Sequence, residues 1–157
     1  MIPPIPNCEL CQTPGGEIVW ENALCRVVRV DQAGDDKLES GYPGFCRVIW
    51  RNHAREMTEL SSFERQHLML VVFAVETAIH RLYQPLKVNL ASLGNVTPHL
   101  HWHVIPRYAD DAHFPAPIWA APLRPVSAAA ARPEVTTQSL REAIARALIE
   151  EHCDGKG

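Results

Sequence analysis

The chain has no apolar run approaching the ~20 residues that span a bilayer, so no transmembrane helix is expected. It has no excess of positive charge either. Lys and Arg number 15 against 18 Asp and Glu, giving a net charge of −3, and the basic residues form no cluster. That argues against a nucleic-acid groove held by electrostatics. A small anion held by backbone donors and imidazoles stays open. The opening MIPPIPNCEL lacks the basic and apolar regions of a secretory signal. Cysteine is sparse and odd in number, five with a single CxxC pair, which fits a reducing cytoplasm better than a secreted disulfide framework. No internal repeat is present. What remains is 157 residues, 46% hydrophobic, enough for one globular domain with its own core.

The thirteen prolines are uneven, with a group in residues 3–6 and a larger one between 98 and 133. The stretch FPAPIWAAPLRPVSAAAARP is too rich in Pro and Ala for a regular packed element and reads as a linker. It is expected to lie along the domain surface or on a partner subunit. This divides the chain into a domain over 1–113, a linker or dimer-contact tail over 114–133, and an amphipathic helix within 134–157.

Within the first part, Glu17–Trp20 and Leu24–Val30 read as a hairpin turning at Glu21-Asn22, and Phe45–Trp50 as a third strand. Ser61-Ser62-Phe63-Glu64 matches a capping box. From there Leu68, Val71, Val72, Val75 and Ile79 recur at helical spacing, predicting a long helix to about Tyr83, before Pro85. Lys87–Leu93 and His99–Pro106 are the fourth and fifth strands. A last helix runs from Thr137 to about His152 with Leu140, Ile144, Ala147 and Leu148 on one face. Strands joined by short turns with one helix crossing indicate an α+β fold on an antiparallel sheet of about five strands.

The feature richest in chemistry is HLHWHVI. His99, His101 and His103 occupy alternate positions, so in an extended strand their imidazoles project from one face while Leu100, Trp102 and Val104 point to the core. Imidazole binds metals, transfers protons and attacks electrophiles near neutral pH, whereas a merely polar strand face has little use for three of them. Cys8-Glu9-Leu10-Cys11 is the second feature. Its two thiolates can share one tetrahedral zinc given two further ligands. Free thiols on a loose terminus, or a redox pair, are the alternatives, though this CxxC runs into the turn Thr13-Pro14-Gly15-Gly16 and not from a strand into a helix.

HLHWHVI fits the His-φ-His-φ-His-φ-φ signature of the histidine triad (HIT) family of nucleotide hydrolases and transferases, where φ is an apolar residue. Pro106-Arg107, the preceding run VNLASLGN and the upstream PGFCRVIWRNHAREMTEL are also similar to that family. The likeness covers roughly residues 8–107, and the triad is its specific part. It resembles the CxxC-containing, zinc-binding type found among bacterial HIT nucleotide hydrolases.

The resemblance implies that His101 is a nucleophile attacking an α-phosphorus to form a nucleotidyl-histidine, resolved by water or by another acceptor. His103 would bind a phosphate oxygen and assist the leaving group. Asn95 falls where the family places a polar side chain near phosphate or leaving group. Thr97 can add a hydroxyl, Gly94 lets the backbone approach closely, and Asn89 in the same run joins them as a candidate substrate contact. Asp31 falls near the family's ribose-binding position, although the loop from Gln32 to Gly44 is longer than in typical members. Val30, Phe45 and Val48 are either base-site residues or simple core. The resemblance also completes the zinc set: His53, before the long helix, and His99 would join Cys8 and Cys11. That would remove His99 from catalysis. Family members commonly dimerise edge to edge around the long helix, so a homodimer is expected, with Trp119 in a contact or covering its own core. The substrate class implied is a phosphoramidate, a dinucleoside polyphosphate or a nucleotide sugar, with adenine favoured. No organic cofactor, nucleic acid or membrane is expected.

Two other readings compete. His101 and His103 can hold a catalytic metal, but the convergent carboxylates such a site often uses are missing. Alternatively the chain binds nucleotides without turnover. Cys25 and Cys46 read as small buried hydrophobes, Cys153 as exposed, His67, His80 and His152 as surface residues, and His113 as a loop histidine.

Overall fold

A computed structural model of the chain describes residues 5–30, 41–125 and 132–154. Asp31 therefore lies outside the described residues, as do the side chains of His152 and Cys153. The CxxC pair brackets a single helical turn, α1 (Glu9–Gln12). Strands β1 (Glu17–Glu21) and β2 (Cys25–Arg29) form the expected hairpin, its turn held by Asn22 Oδ1 accepting from the backbone N–H of Leu24 and Cys25, both at 2.9 Å. Strand β3 (Cys46–Trp50) precedes a short 3-10 turn at Met57–Glu59 and the long helix α2 (Ser62–Tyr83). Strands β4 (Lys87–Ala91) and β5 (His101–Arg107) follow, and helix α3 (Thr137–Asp154) closes the chain. The sheet order is β1-β2-β3-β5-β4, antiparallel at every pairing. Helix α2 is the crossover that carries the chain past β5 to the far edge.

The helix start is fixed by the predicted capping box: Ser61 Oγ accepts from the Glu64 N–H at 3.3 Å and Glu64 Oε2 accepts from the Ser61 N–H at 2.8 Å. Such a cap contributes about 1 kcal/mol. At the other end Gln84 takes the left-handed conformation with φ 47° just before Pro85. Gly44, with φ 91°, lets the chain pass the Tyr83 ring, where a Cβ would sit 2.7 Å from a ring carbon.

The pleat sorts side chains to two layers. On one face Cys25, Val27, Cys46, Val48, Trp50 and Val104 pack against the predicted stripe of α2 and against Leu140, Ile144, Ala147 and Leu148 of α3. The C-terminal helix thus completes the main core and is no appendage. On the other face Val28, Val30, Phe45, Ile49 and Ile105 form a smaller cluster with Cys8, Leu10 and Ile118. Two irregular segments cover this second face. The N-terminal one is tied down by buried Arg26, which donates to the carbonyls of Leu10 at 2.7 Å, Thr13 at 3.0 Å and Pro14 at 2.8 Å. The other begins at Tyr108 and includes part of the stretch read as a linker. Ile118 is 2% exposed there, because Arg107 Nη2 donates to the Ala116 carbonyl at 2.8 Å and seats the segment on the sheet. The chemistry-bearing histidines emerge between these two covers.

Candidate active site and metal centre

Strand β5 starts at His101, two residues later than the alternation suggests. The His99 N–H bonds the Thr97 carbonyl at 2.8 Å in a turn, so His99 precedes the strand, and its ring meets the CxxC segment. Its Nδ1 lies 3.3 Å from Cys8 Sγ and 3.5 Å from Cys11 Sγ, while its Nε2–H donates to the Trp50 carbonyl at 2.7 Å. His53 Nδ1 is 3.5 Å from Cys11 Sγ, and the two imidazoles meet edge to face at 5.2 Å. All four ligand atoms lie within 4.8 Å of one another, so Cys8, Cys11, His53 and His99 can hold a metal ion. The Trp50 carbonyl fixes the His99 tautomer that leaves Nδ1 with its lone pair, the support expected of a metal ligand. Burial lowers the His99 pKa and raises that of Cys8, favouring a neutral ring and, without a cation, a neutral thiol.

His101 and His103 do share a face. His101 Nδ1–H donates to the His99 carbonyl at 2.6 Å, which fixes the tautomer and leaves the Nε2 lone pair for the cleft. His103 Nε2 lies 3.1 Å away and is therefore the donor to it. His103 Nδ1 is buried with no hydrogen-bond partner among the described residues. Burial depresses both imidazoles. The His101 pKa is lowered by desolvation and by Arg47, against the opposing His99 carbonyl. His103 is pushed down to about 3 by desolvation first, then by His101 and Arg47. Both rings are neutral at pH 7, as a nucleophile and its hydrogen-bond donor need to be.

The rings open onto a cleft of about 670 Å³. Gly94, Asn95 and Thr97, from the β4–β5 loop, line it. Gly94 has φ 70°, the conformation that suits glycine. Asn89 lies outside the cleft lining; its Oδ1 accepts from Arg107 Nη1 at 2.7 Å. Val30 and Phe45 lie on the cleft side of the sheet, while Val48 belongs to the helix-side core. Sequence reasoning missed Arg47, and it read Trp119 as a dimer contact or core cover and not as part of the site. Arg47 pairs with His103 across β3 and β5 and lines the cleft. Trp119 packs edge-on to His103 at 5.1 Å, so the Pro-rich stretch supplies a wall of the site. A tryptophan set among prolines was the available signal.

His113 lies in a loop, as expected, and is buried there: it is 5% exposed and its Nδ1 meets the Tyr42 hydroxyl at 2.5 Å. His67 Nε2 accepts from Asn22 Nδ2 at 2.8 Å, tying α2 to the first hairpin. His80 is exposed and Cys25 and Cys46 are buried, as expected.

The HIT domain family model matches residues 18–110, from β1 through the end of β5. Among solved structures, a histidine triad protein from Marinobacter aquaeolei is 25% identical, covering 87% of this chain and 91% of its own, with a TM-score of 0.61. One from Bradyrhizobium japonicum is 24% identical over 86% and 92% of the two chains, with a TM-score of 0.62. One from Sinorhizobium meliloti is 20% identical over 88% and 90%, with a TM-score of 0.59. No curated protein matches in sequence. With its triad strand, five-stranded sheet and crossover helix in place, the chain belongs to the HIT family. Membership supports a nucleotide-binding function of hydrolase type. No described helix is long and apolar enough to cross a membrane.

Proposed function

We propose that the protein is a nucleotide hydrolase or transferase acting at the α-phosphate of a nucleotide conjugate through a covalent nucleotidyl-His101. The observation that carries this is the His101 ring, held at Nδ1 by the His99 carbonyl at 2.6 Å with its Nε2 facing the cleft beside His103. A lone pair fixed in direction is the preorganisation a nucleophile requires. Nε2 forms a bond to phosphorus as the bond to the leaving group breaks. The Nε2–H of His103 donates a hydrogen bond to the departing atom, which leaves with its electron pair and takes any proton it needs from water, and the positive charge on the His101 ring is steadied by the Nδ1–H to carbonyl bond. Water or another acceptor then attacks phosphorus, losing its proton to solvent, and the N–P pair returns to His101. Asn95 and Thr97, on the cleft wall, are positioned to hydrogen-bond the phosphate chain. Phosphoramidates and dinucleoside polyphosphates both fit this chemistry. Asn89, whose amide oxygen is used by Arg107, and Asp31 are assigned to substrate binding on family resemblance.

The second centre is assigned to structural zinc. Bonds of about 2.3 Å to sulfur and 2.0–2.1 Å to nitrogen in a tetrahedron require S···N separations near ~3.5 Å. Three of the Sγ–Nδ1 separations are 3.3, 3.5 and 3.5 Å. Zinc bound there would cross-link the N-terminal cover to the turn before β5, fixing the His99 carbonyl that orients His101. A cytoplasmic homodimer completes the proposal, from family resemblance and cysteine usage. The rival catalytic-metal reading is disfavoured because the metal-capable group among the described residues excludes His101 and His103. The test is turnover of a panel of adenosine phosphoramidates, dinucleoside polyphosphates and nucleotide sugars. His101→Ala should lose at least about a thousandfold in kcat, as loss of a covalent nucleophile does. Full activity in that variant refutes the proposal.

A further inference from the structure

His101 and His103 bring a lone pair and a hydrogen-bond donor to the cleft. A phosphoryl group in transfer spreads negative charge over its non-bridging oxygens. A side chain of fixed positive charge on the same face is the group suited to steady those oxygens. Arg47 stands directly across from His103 in the β3–β5 register, and residues opposite each other on paired strands project from the same face. Among the described residues lining the cleft, Arg47 is the one formal cation, while the one formal anion, Glu9, is exposed on the rim. Arg47 also lines a second depression, of about 340 Å³, with Gly15, Gly16 and Val30. The two depressions share Arg47 and the exposed Glu9. A nucleotide with its phosphorus on His101 has to carry its nucleoside into adjoining space, and this depression provides it.

We propose that Arg47 is a catalytic residue whose guanidinium holds a non-bridging oxygen of the α-phosphoryl group, with the nucleoside lying in the depression beyond it. The assignment rests on the proposed attack by His101 on that group. As the Nε2–P bond forms and the leaving atom departs with its electron pair, hydrogen-bonded by the Nε2–H of His103, the oxygens stay on phosphorus and keep their contact with Arg47. Hydrolysis needs only water, and the same contact serves both steps. A residue working on the α-phosphoryl group serves every substrate equally, whatever leaves. A residue working on the leaving group does not.

The test uses two substrates that share an adenosine 5′-phosphoryl group, a neutral-amine phosphoramidate and diadenosine triphosphate. Each is assayed with wild type, Arg47→Ala and Arg47→Lys, with and without guanidinium ion well below denaturing concentration, alongside a thermal melt. Arg47→Ala is expected to lower kcat/KM on both substrates by a similar factor, about 10- to 100-fold, the range a charged hydrogen bond supplies. Guanidinium should restore part of it, a response a merely structural side chain does not give, and Arg47→Lys should retain part through its charge. If Arg47→Ala does not fold, Arg47→Lys carries the test: an equal partial loss on both substrates supports the assignment and an unequal one overturns it. A loss confined to diadenosine triphosphate overturns it in favour of a leaving-group contact. A loss under threefold on both, or one that neither Lys nor guanidinium relieves, also overturns it. If wild type itself turns over neither substrate and forms no adduct on His101, the underlying reading fails and takes Arg47 with it. The inactive wild type distinguishes that case.

Discussion

Removing the Asp111 carboxylate should destabilise the protein more than any exposed substitution, and it should do so beside the active site. Arg107 and Asp111 are paired by two hydrogen bonds, Nε to Oδ2 at 2.9 Å and Nη2 to Oδ1 at 3.0 Å, with side chains only 1% and 3% exposed. The carboxylate also accepts from the backbone N–H of Tyr108 at 3.1 Å, His113 at 2.9 Å and Phe114 at 2.6 Å. Burial on its own would raise the Asp111 pKa; Arg107 and these N–H donors overcome it and hold the group ionised. Asp111→Ala leaves a buried guanidinium bonded to Asn89 and the Ala116 carbonyl but with no counter-charge. Breaking a buried pair from one side costs about 3–5 kcal/mol. For a domain of this size that is a fall in Tm of about 6–20 °C. The check is urea unfolding followed by far-ultraviolet circular dichroism, with the m-value compared between proteins. Asp111→Asn, which keeps an acceptor oxygen, should lose less. The double replacement Arg107→Met with Asp111→Leu should be less damaged than Asp111→Ala alone, since it leaves no unpaired charge. A loss below about 1 kcal/mol at unchanged m would show that water or a rearranged loop replaces the carboxylate, and would refute the claim that this ion pair seats the segment carrying Trp119.

Three further outcomes follow from the same geometry. Purified protein should carry about one zinc per chain, lost in Cys11→Ser and His53→Ala. Its removal by a chelator should lower Tm by about 8–16 °C if metal is present at a thousandfold over its dissociation constant; an unchanged melt with metal absent throughout contradicts the structural assignment. His103 titrates at about 3 in the folded chain and near its ordinary 6.5 when unfolded. Folded pKa is the lower one, so its contribution is complete above pH 6.5 and is lost as pH falls toward 3, about 2 kcal/mol by pH 5. His103→Gln should flatten that part of the stability profile, and an unaltered profile would place the ring in water.

The sequence made the second layer of the sheet hard to see and the first easy. The stripe on α2 and the Ser61–Glu64 box are local signals, readable because both ends of each interaction lie within a few turns of one helix. Strand alternation likewise put Leu100 and Val104 in the core correctly. It does not say that His99, which precedes the strand, meets the CxxC thiols and not the cleft. Arg47 was hidden inside an apolar strand pattern, where only the pairing register brings it opposite His103. Trp119 was hidden by composition: a Pro-rich stretch carries no period, and the contacts that seat it come from Arg107 and Ile118 in tertiary space. The four metal-capable residues span 91 positions from Cys8 to His99, so family resemblance and not spacing joined them in the sequence.

The most direct test of the account is rapid quenching of enzyme with an adenosine 5′-phosphoramidate or diadenosine triphosphate at neutral pH, followed by peptide mapping under conditions that preserve phosphohistidine. The account predicts a nucleotidyl adduct on the peptide carrying His101, formed and discharged within a turnover and absent from His101→Ala. Substrate turnover at full rate with no adduct on that peptide, or an adduct on His99 or His103 in its place, would contradict it.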